Sequence, residues 1–495
     1  MAKTLFSGKD YESFRKKILE DEREQNGLVD EALTEEKKKK RNTLDNDQNI
    51  TYNLFCVGTK KVNATEFKEL CEISPIFNTL VDRLSRDSAF LIKCLEGAAA
   101  GDEDFTGRLL SLYKKWINLS GTKQQQYQLG IFRSDYMRCS KRQKWSQIEL
   151  NTISVSFVAL SDRVIQLHKL PFIYLKKKKK VPLFFFPLLY FLLERYNNMK
   201  FEELDVINIP KLRRQEKSEE KEQKEKPSRG YRPRPYSHEQ IAKSLAQAAR
   251  LVHPDNPIVI MVVQPNEKNT CDQRMIEYAL WDQFLYNNKT TNNNNNNNNN
   301  KAKFKVKLIR RSLVDIYETA AIDNETNELV LTSFFSPPFF DSFFLPFSLA
   351  IFRNKEVRAS VVYFRSGYTP KDYPSDKEWI ARERIELSSA IKCPSVGYHL
   401  LGCKLMQVIF AMPNVLEKYL TEDDSNLLRK CFVGLWSLDN LLVSDKEVEE
   451  TLSKIKKNYN DYVIKPQREG GGNNFFGEEI PKLIESLGKK EKKKN

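Results

Sequence analysis

The amino-acid sequence predicts a mixed α/β fold, in which short β-rich runs alternate with amphipathic helices. The runs Ile258 to Val263, Lys305 to Ile309 and Val361 to Arg365 have the length and composition of buried strands. Apolar residues recur at helical spacing in two further segments, which contain Phe105, Leu109, Leu112 and Trp116 in one case and Met275 or Ile276, Leu280 and Phe284 in the other. Because strand and helix alternate, parallel-sheet units are favoured.

The net charge of +15 is concentrated in a few lysine-rich segments. The 495 residues include 81 Lys+Arg and 66 Asp+Glu, and fourteen lysines fall in Lys37 to Lys40, Lys176 to Lys180 and the tail after Gly488. A basic chain is a candidate for nucleic-acid binding, because lysine and arginine release counterions from phosphate. The runs lack interleaved aromatic residues or glycine, so nucleic acid is the less favoured partner.

Neither the cysteines nor the apolar segments indicate an extracellular or membrane protein. The eight cysteines are dispersed without a CxxC pair, and only four histidines are present, which disfavours a disulfide framework or a zinc site. Val181 to Leu193 is too short for a membrane span, and 333–352 contains three prolines and Asp341. The N-terminal residues lack the apolar region of a secretory signal, so we expect a cytoplasmic protein without a membrane partner.

Four segments of biased composition interrupt the chain, at 171–195, 215–226, 287–301 and 333–354. They contain a Lys and Phe mixture, alternating Lys and Glu, a polyasparagine tract and a phenylalanine-rich stretch, respectively. Such compositions cannot build a core, so we expect loops or disorder there. Lysine and phenylalanine homopolymers also result when an A/T-rich intron is translated, which makes the Phe-rich segments candidates for gene-model errors.

A glycine-rich loop near the C-terminal end has the chemistry of a phosphate site. The segment 462–474 reads as a strand that enters Gly470 to Gly472, and a helix start follows at Glu478. Three glycines let backbone N–H groups approach phosphate, while Lys465 supplies a cation and Glu469 an oxygen ligand for Mg²⁺. The spacing fits neither a P-loop nor a Rossmann fingerprint, and a flexible Gly-Asn linker stays open as the alternative.

A second constellation places two oxygen ligands on one strand. Period-2 alternation in 147–157 puts Glu149 and Asn151 on the same face, as a Mg²⁺ site requires, although alone the pattern favours an exposed strand face. Arg133 and Arg365 each lie at the end of an apolar run. Either arginine can bind a ligand carboxylate or pair with a neighbouring acid, and the sequence does not decide between the two.

Six motifs occur in series along the chain. They are Arg-Ser-Asp-Tyr-Met, Gln-Ile-Glu-x-Asn-Thr-Ile-Ser-x-Ser-Phe, Asp-Gln-Arg, Tyr-Phe-Arg-x-Gly-Tyr, Lys-Cys-Pro and Lys-Pro-Gln-Arg-Glu-Gly-Gly-Gly-Asn-Asn. In this order they resemble the eukaryotic glutathione synthetase family of the ATP-grasp group, over roughly residues 50 to 488. The resemblance implies an ATP-grasp-type fold with an inserted smaller α/β substrate-binding domain. We expect an N-terminal part at 1–256, the substrate-binding domain at 257–401 and a C-terminal ATP-grasp part at 402–495.

The resemblance also implies the reaction and the ligands. The family is a class of ATP-dependent carbon–nitrogen ligases that join γ-glutamylcysteine to glycine through an acyl phosphate, with Mg²⁺ as cofactor and a homodimer as the assembly. By motif, the peptide substrate is expected at Arg133, Ile153, Ser154, Val155, Ser156, Glu267, Lys268, Asn269, Gln273, Arg365, Ser366, Gly367 and Tyr368. ATP is expected at Glu149, Lys404, Lys465, Pro466, Gln467, Arg468, Glu469, Gly470, Gly471, Gly472, Asn473, Asn474 and Phe476, and Mg²⁺ at Glu149, Asn151 and Glu469.

Three features depart from the family pattern. Ser366 stands where the family usually has Asp, which weakens a polar substrate contact, and Phe476 stands where Tyr is usual. The sequence also stops after Gly488 in a lysine-rich tail, without the Met-Glu adenine hinge that the family carries further on. We therefore expect no adenine pocket and little ligase activity from these residues alone, and a non-catalytic homologue is the alternative.

Overall fold

The computed structural model describes residues 62–119, 125–139, 142–165, 237–290, 306–332, 356–439, 442–467 and 474–491. All of them belong to the unit formed by 55–495. The strands are β1 (Arg133–Cys139), β2 (Lys144–Asn151), β3 (Ile258–Val262), β4 (Lys307–Arg311), β5 (Ala320–Ile322), β6 (Leu329–Leu331), β7 (Val357–Arg358), β8 (Val361–Phe364), β9 (Ile391–Cys393), β10 (Val463–Ile464) and β11 (Phe475–Phe476).

Helices surround these strands and most begin at a residue that caps the helix. The helices are α1 (Ala64–Ser85), α2 (Ser88–Gly101), α3 (Arg108–Ile117), α4 (Ser237–Val252), α5 (Thr270–Thr290), α6 (Leu313–Thr319), α7 (Asp376–Leu387), α8 (Val396–Leu400), α9 (Lys404–Ala411), α10 (Leu416–Tyr419), α11 (Glu422–Cys431), α12 (Asp445–Lys457) and α13 (Glu479–Glu491). Ser375 and Ser444, for example, each form a capping box with a glutamate three residues later. None of the helices in the described ranges combines the length and hydrophobicity that a bilayer crossing requires.

A four-stranded parallel sheet in the order β4-β3-β8-β9 organises the middle of the chain. Ile260 lies opposite Ile309 on one side and Val362 on the other, and Val362 lies opposite Lys392. Three antiparallel groups accompany this sheet, formed by β1 and β2, by β5, β6 and β7, and by β10 and β11. The mixed α/β class predicted from the sequence is confirmed.

Both faces of the parallel sheet are buried, because alternate residues point to opposite sides. One face belongs to a core of aliphatic and aromatic side chains that extends through α1, α3 and α7 to α9, and it includes Ile258, Ile260, Val262, Val362 and Phe364. The other face packs against α4 and α5, and it includes Val259, Met261, Val361, Tyr363, Ile391 and Cys393. The loops that follow the strand ends are therefore held on a rigid support.

Three details differ from the sequence prediction. The strand expected at Lys305 to Ile309 lies at Lys307–Arg311, and Phe105 lies in a single π-helical turn, Glu103–Gly107, that precedes α3. α5 continues to Thr290, so the first residues of the segment 287–301 are helical. The segments 171–195, 215–226 and 333–354, and the lysine runs at 37–40 and 176–180, lie outside the described residues.

Candidate functional site

Three loops that carry predicted substrate residues meet at the C-terminal edge of the parallel sheet. They follow β2, β3 and β8, and together with the first turn of α5 we call them the substrate loops (152–157, 263–273 and 365–372). Arg365 Nη2 donates a hydrogen bond to Ser156 Oγ at 3.1 Å, and Ser154 Oγ donates to the carbonyl oxygen of Ser366 at 3.4 Å. Ligands commonly bind at this edge of parallel α/β sheets.

A buried ion pair lies where the loops meet. Arg365 Nη2 is 2.9 Å from Asp272 Oδ2, and the two side chains are 1% and 0% exposed. The same carboxylate accepts three backbone N–H groups at the start of the helical segment 158–165, from Phe157, Ala159 and Leu160 at 3.1, 2.8 and 3.3 Å. Asp272 therefore balances the arginine charge and caps a helix with one side chain.

The loop after β2 has an uncommon backbone conformation. Ser154 and Phe157 have φ values of 51° and 64°, a left-handed region that non-glycine residues rarely adopt. Such a conformation persists only where neighbouring contacts determine it. The bond from the Phe157 N–H to Asp272 is one of these contacts.

A relay of side chains orients Glu267. Arg310 Nη2 donates to Gln273 Oε1 at 2.6 Å, and Gln273 Nε2 donates to Glu267 Oε2 at 2.6 Å. The other oxygen of Glu267 accepts the N–H of Asn269 at 2.8 Å. Burial, followed by the charge of Arg274, lowers the pKa of Arg310. The relay holds the Glu267 carboxylate in one orientation at the site.

The remaining predicted substrate residues divide into two groups. Ile153 and Val155 are each 5% exposed and belong to the hydrophobic interior, while Lys268 is exposed to solvent. Gly367 and Tyr368 continue the loop after β8, where Gly367 has a φ of 87°. The side chains of Ser154 and Ser156 form hydrogen bonds with the loop after β8, whereas the Val155 side chain between them is buried.

Arg133 pairs with a neighbouring acid. Its Nε and Nη2 donate to Oδ1 and Oδ2 of Asp135 at 2.7 and 2.9 Å, and Nη1 reaches the carbonyl oxygen of Ser156 at 3.4 Å. Arg365 likewise pairs with Asp272. Both arginines pair with an acid in this structure, and each lies beside the substrate loop after β2.

Residues predicted to contact ATP form a second group, which we call the cation cluster (Glu149, Lys404 and Lys465). Lys404 Nζ lies 2.5 Å from Glu149 Oε1, with the two side chains 6% and 13% exposed. Lys465 Nζ donates to the carbonyl oxygen of Ile148 at 2.7 Å. Burial, followed by the charge of Lys404, lowers the pKa of Lys465, and Glu149 opposes this change.

The face of β2 beside the cation cluster carries side-chain oxygens of the kind that coordinate metal ions. Glu149 lies directly opposite Asp135 across the β1–β2 pair, and Asn151 Nδ2 donates to Asp135 Oδ2 at 3.2 Å. Carboxylate and amide oxygens are ligands that Mg²⁺ accepts, so the donor set fits this ion. Two of the three predicted ligands are described, and no group of three His, Cys, Asp or Glu side chains arranged for a metal occurs within the described ranges.

The other predicted ATP residues lie around the cation cluster or outside the described part of the chain. Gln467 Oε1 accepts the N–H of Leu405, which links the segment after β10 to the first turn of α9 at 3.1 Å. Pro466 is partly buried, as is Asn474, whereas Phe476 is 52% exposed. Outside the described residues lie Arg468, Glu469, Gly470, Gly471, Gly472 and Asn473.

Sequence reasoning gave no role to four residues that organise these groups, namely Asp135, Asp272, Arg310 and Asp372. Asp135 and Asp272 lie inside quoted motifs, so proximity to predicted ligands was an available signal. Asp372 follows Thr369 by three residues, which is the spacing of a capping interaction. Arg310 had no local signal, because its partner Gln273 lies 37 residues away.

Comparison with known proteins gives a consistent result. Two family models match, "Eukaryotic glutathione synthase" at residues 257–401 and "Eukaryotic glutathione synthase, ATP binding domain" at residues 17–183. Glutathione synthetase of Dictyostelium discoideum is 30% identical over 475 residues, which cover 94% of this chain and 79% of that protein. The rat enzyme is 30% identical over 481 residues, covering 95% and 80%, respectively.

Two further proteins extend the comparison. The chloroplastic glutathione synthetase of Solanum lycopersicum is 32% identical over 84% of this chain, which spans 58% of that longer protein. Among solved structures, a glutathione synthetase-like effector of Globodera pallida in its apo form matches with a TM-score of 0.48 and 17% identity, covering 86% of this chain and 70% of the effector. The Dictyostelium and rat relatives establish the family. The chain belongs to the eukaryotic glutathione synthetases, ATP-dependent ligases of glutathione biosynthesis.

Proposed function

We propose that the substrate loops bind γ-glutamylcysteine and that the cation cluster binds the phosphates of ATP, so that these residues carry out the ligation with glycine that defines the family. The observation that carries this proposal is the position of Arg365 between the three loops. Its Nη2 donates to Asp272 and Ser156, so the guanidinium is fixed where the predicted substrate residues of the three loops meet. A guanidinium can pair with a substrate carboxylate.

The chemistry requires an activated carboxylate. The cysteinyl carboxylate oxygen attacks the γ-phosphorus of ATP, ADP leaves, and an acyl phosphate forms. The glycine amine then adds to the acyl carbon, and phosphate leaves with the electron pair of the broken C–O bond while the amine loses its proton. The protein contributes mainly by positioning the reactants and neutralising charge.

Different described residues suit different charged groups of the reactants. Arg365 suits the substrate carboxylate, and the oriented Glu267 suits an ammonium group, since opposite charges pair at a desolvated site. Lys404 and Lys465 suit phosphate oxygens. Mg²⁺ would be held by Glu149 and Asn151 together with Glu469, and when bound it supplies charge neutralisation between the phosphates.

Several parts of the family description stay proposals for this chain. The glycine-rich loop at Gly470 to Gly472 is proposed to close over ATP and exclude water from the acyl phosphate. The homodimer, the cytoplasmic location and the absence of a nucleic-acid partner rest on family analogy and on the charge distribution.

Binding of γ-glutamylcysteine, measured by titration calorimetry, tests the substrate assignment. R365K should weaken binding by about tenfold or more, equal to about 1.4 kcal/mol, because the three N–H donors of an ammonium cannot reproduce the planar array of five donors in a guanidinium. R384K is the matched control, since Arg384 bonds only the backbone oxygens of Tyr317 and Ala320 among the described residues. Equal binding by R365K and wild type, or no binding by wild type, contradicts the assignment. Release of ADP that requires both peptide and glycine tests the reaction itself.

A further inference from the structure

We propose that Asp372 is a positioning residue of the substrate site, which fixes the loop that carries Ser366 to Tyr368 and ties it to the loop after β3. The proposal rests on the function proposed above and adds a residue to it. Asp372 ends a three-residue 3-10 helix, Pro370–Asp372, directly after the predicted substrate residues. Nothing in the sequence motifs singles it out.

One carboxylate accepts hydrogen bonds from five donors. Oδ2 accepts the N–H of Tyr368 at 3.1 Å, the N–H of Thr369 at 3.0 Å and the hydroxyl of Thr369 at 3.1 Å. Oδ1 accepts from Ser366 Oγ at 3.2 Å and from Gln264 Nε2 at 3.0 Å. The backbone bonds alone make a turn, whereas the bonds to Ser366 and Gln264 reach outside it. The side chain therefore joins two loops that follow adjacent parallel strands.

The Gln264 bond extends this network to a predicted substrate residue. Gln264 also forms a hydrogen bond with the side chain of Tyr368. Burial, followed by the negative charges of Asp372 and Glu267, raises the pKa of Tyr368. Asp372 thus controls the backbone of Tyr368 directly and its hydroxyl through Gln264.

The loop has little freedom to take another shape. Gly367 has a φ of 87°, and a Cβ there would lie 2.9 Å from the hydroxyl oxygen of Tyr373. That hydroxyl donates to the Gly367 carbonyl oxygen at 3.1 Å, and the Tyr373 side chain is buried. Tyr373 therefore holds the middle of the loop from one side while Asp372 holds both ends of it. Arg365 immediately precedes this loop, so the conformation of the loop also affects the position of the Arg365 guanidinium.

The hydrogen bond between Ser366 and Asp372 can be tested by exchanging the two side chains. The Ser366 hydroxyl donates to the Asp372 carboxylate at 3.2 Å, so position 372 supplies an acidic group at this point of the loop. Exchanging the two groups, as S366D/D372N, reverses the hydrogen bond, because the amide introduced at position 372 would donate to the carboxylate introduced at position 366. The side-chain amide of Gln264, which donates to Asp372 in the wild type, would have to turn over so that its oxygen accepts from the introduced amide. The remaining amide oxygen at position 372 could still accept the backbone N–H groups.

The experiment is titration calorimetry of γ-glutamylcysteine against wild type, D372A, D372N and the exchange variant S366D/D372N, with a thermal unfolding curve for each. We expect D372A to raise Kd by about tenfold or more and D372N by less, because charge-assisted bonds to the loop are lost or weakened. The exchange variant should bind more tightly than D372N, because it restores a hydrogen bond between positions 366 and 372. D323N is the matched control, because Asp323 accepts the N–H groups of Glu325 and Thr326 in the turn between β5 and β6, where it also pairs with Arg358.

The outcomes separate the two proposals. Absence of binding by wild type overturns the proposed function and the role of Asp372 with it. Wild-type affinity in a folded D372A overturns only the positioning role. A residue that merely stabilises a turn would lower the melting temperature and leave the Kd of the folded protein unchanged, as expected for D323N. If D372A does not fold, D372N decides: equal affinity of a folded D372N and wild type overturns the role.

Discussion

The substrate loops and the cation cluster balance their charges in different ways. In the substrate loops, Asp272 meets one arginine and three backbone N–H groups, so the buried charges are paired within the protein. In the cation cluster, two lysines face one carboxylate, and Lys465 bonds only a backbone oxygen among its described hydrogen bonds. The buried ion pair of the substrate loops is balanced within the protein, whereas the cation cluster carries an excess positive charge.

This difference in charge balance predicts that ligand binding has a different energetic consequence in each group. Buried and mutually bonded side chains change little on binding, which lowers the entropic cost of ordering them around a substrate. An excess cation in a partly buried site is destabilising by itself, and an anionic phosphate relieves that cost. We therefore expect the substrate loops to depend on their own pairs for stability and the cation cluster to depend on its ligand.

The largest expected effect is the loss of the charge on Asp272. D272N keeps an oxygen for the N–H groups of Ala159 and Leu160 but turns an amide toward Arg365 and the Phe157 N–H, leaving the arginine charge uncompensated in the interior. The free energy of unfolding should fall by about 3 to 5 kcal/mol. Urea denaturation of wild type and variant measures this change.

The Arg133–Asp135 pair supplies the contrast for this measurement. Its side chains are 42% and 36% exposed, so solvent screens the interaction. D135N should reduce the free energy of unfolding by about 1 kcal/mol or less. Equal losses in D272N and D135N would mean that burial does not distinguish the two arginine pairs, and the comparison above would be wrong.

A smaller effect is expected in the cation cluster, where the pKa of Lys465 reports the neighbouring charges. Its pKa lies below 10.5, so the unfolded state holds this proton more tightly, and the resulting destabilisation disappears as pH rises toward 10.5. K404Q removes a neighbouring cation and should raise the pKa of Lys465 toward its ordinary value, although burial remains. E149Q should lower it. NMR titration of ¹⁵N-labelled lysine side chains measures both variants, and a fall in K404Q would contradict the proposed arrangement.

The sequence predicted the elements better than the contacts between them. Strand runs such as Ile258 to Val263 are recognisable because consecutive β-branched residues are buried on both faces of a parallel sheet. The candidate site could be proposed only through motifs, since periodicity does not say which loops meet. Asp272 and Phe157 are separated by 115 residues. The left-handed backbone at Ser154 and Phe157 could not be predicted either, because neither residue is a glycine. Both features depend on tertiary contacts that local sequence does not encode.

No loss of stability or of binding is expected when the segment 333–355, which lies outside the described residues, is replaced by a short turn. The chain on either side of it is already paired, since Leu331 lies opposite Val357 and Val330 opposite Arg358 in an antiparallel register. An Asn-Gly turn between Thr332 and Glu356 would therefore continue this hairpin without shifting its register. A shorter connection reduces loop-closure entropy, so the variant should be as stable as wild type or more stable by up to about 2 kcal/mol. Urea denaturation and the Kd for γ-glutamylcysteine test this, with both values expected to hold. Loss of cooperative unfolding would show that the segment contributes to the core, and weaker binding in a folded variant would show that the substrate loops are not self-sufficient.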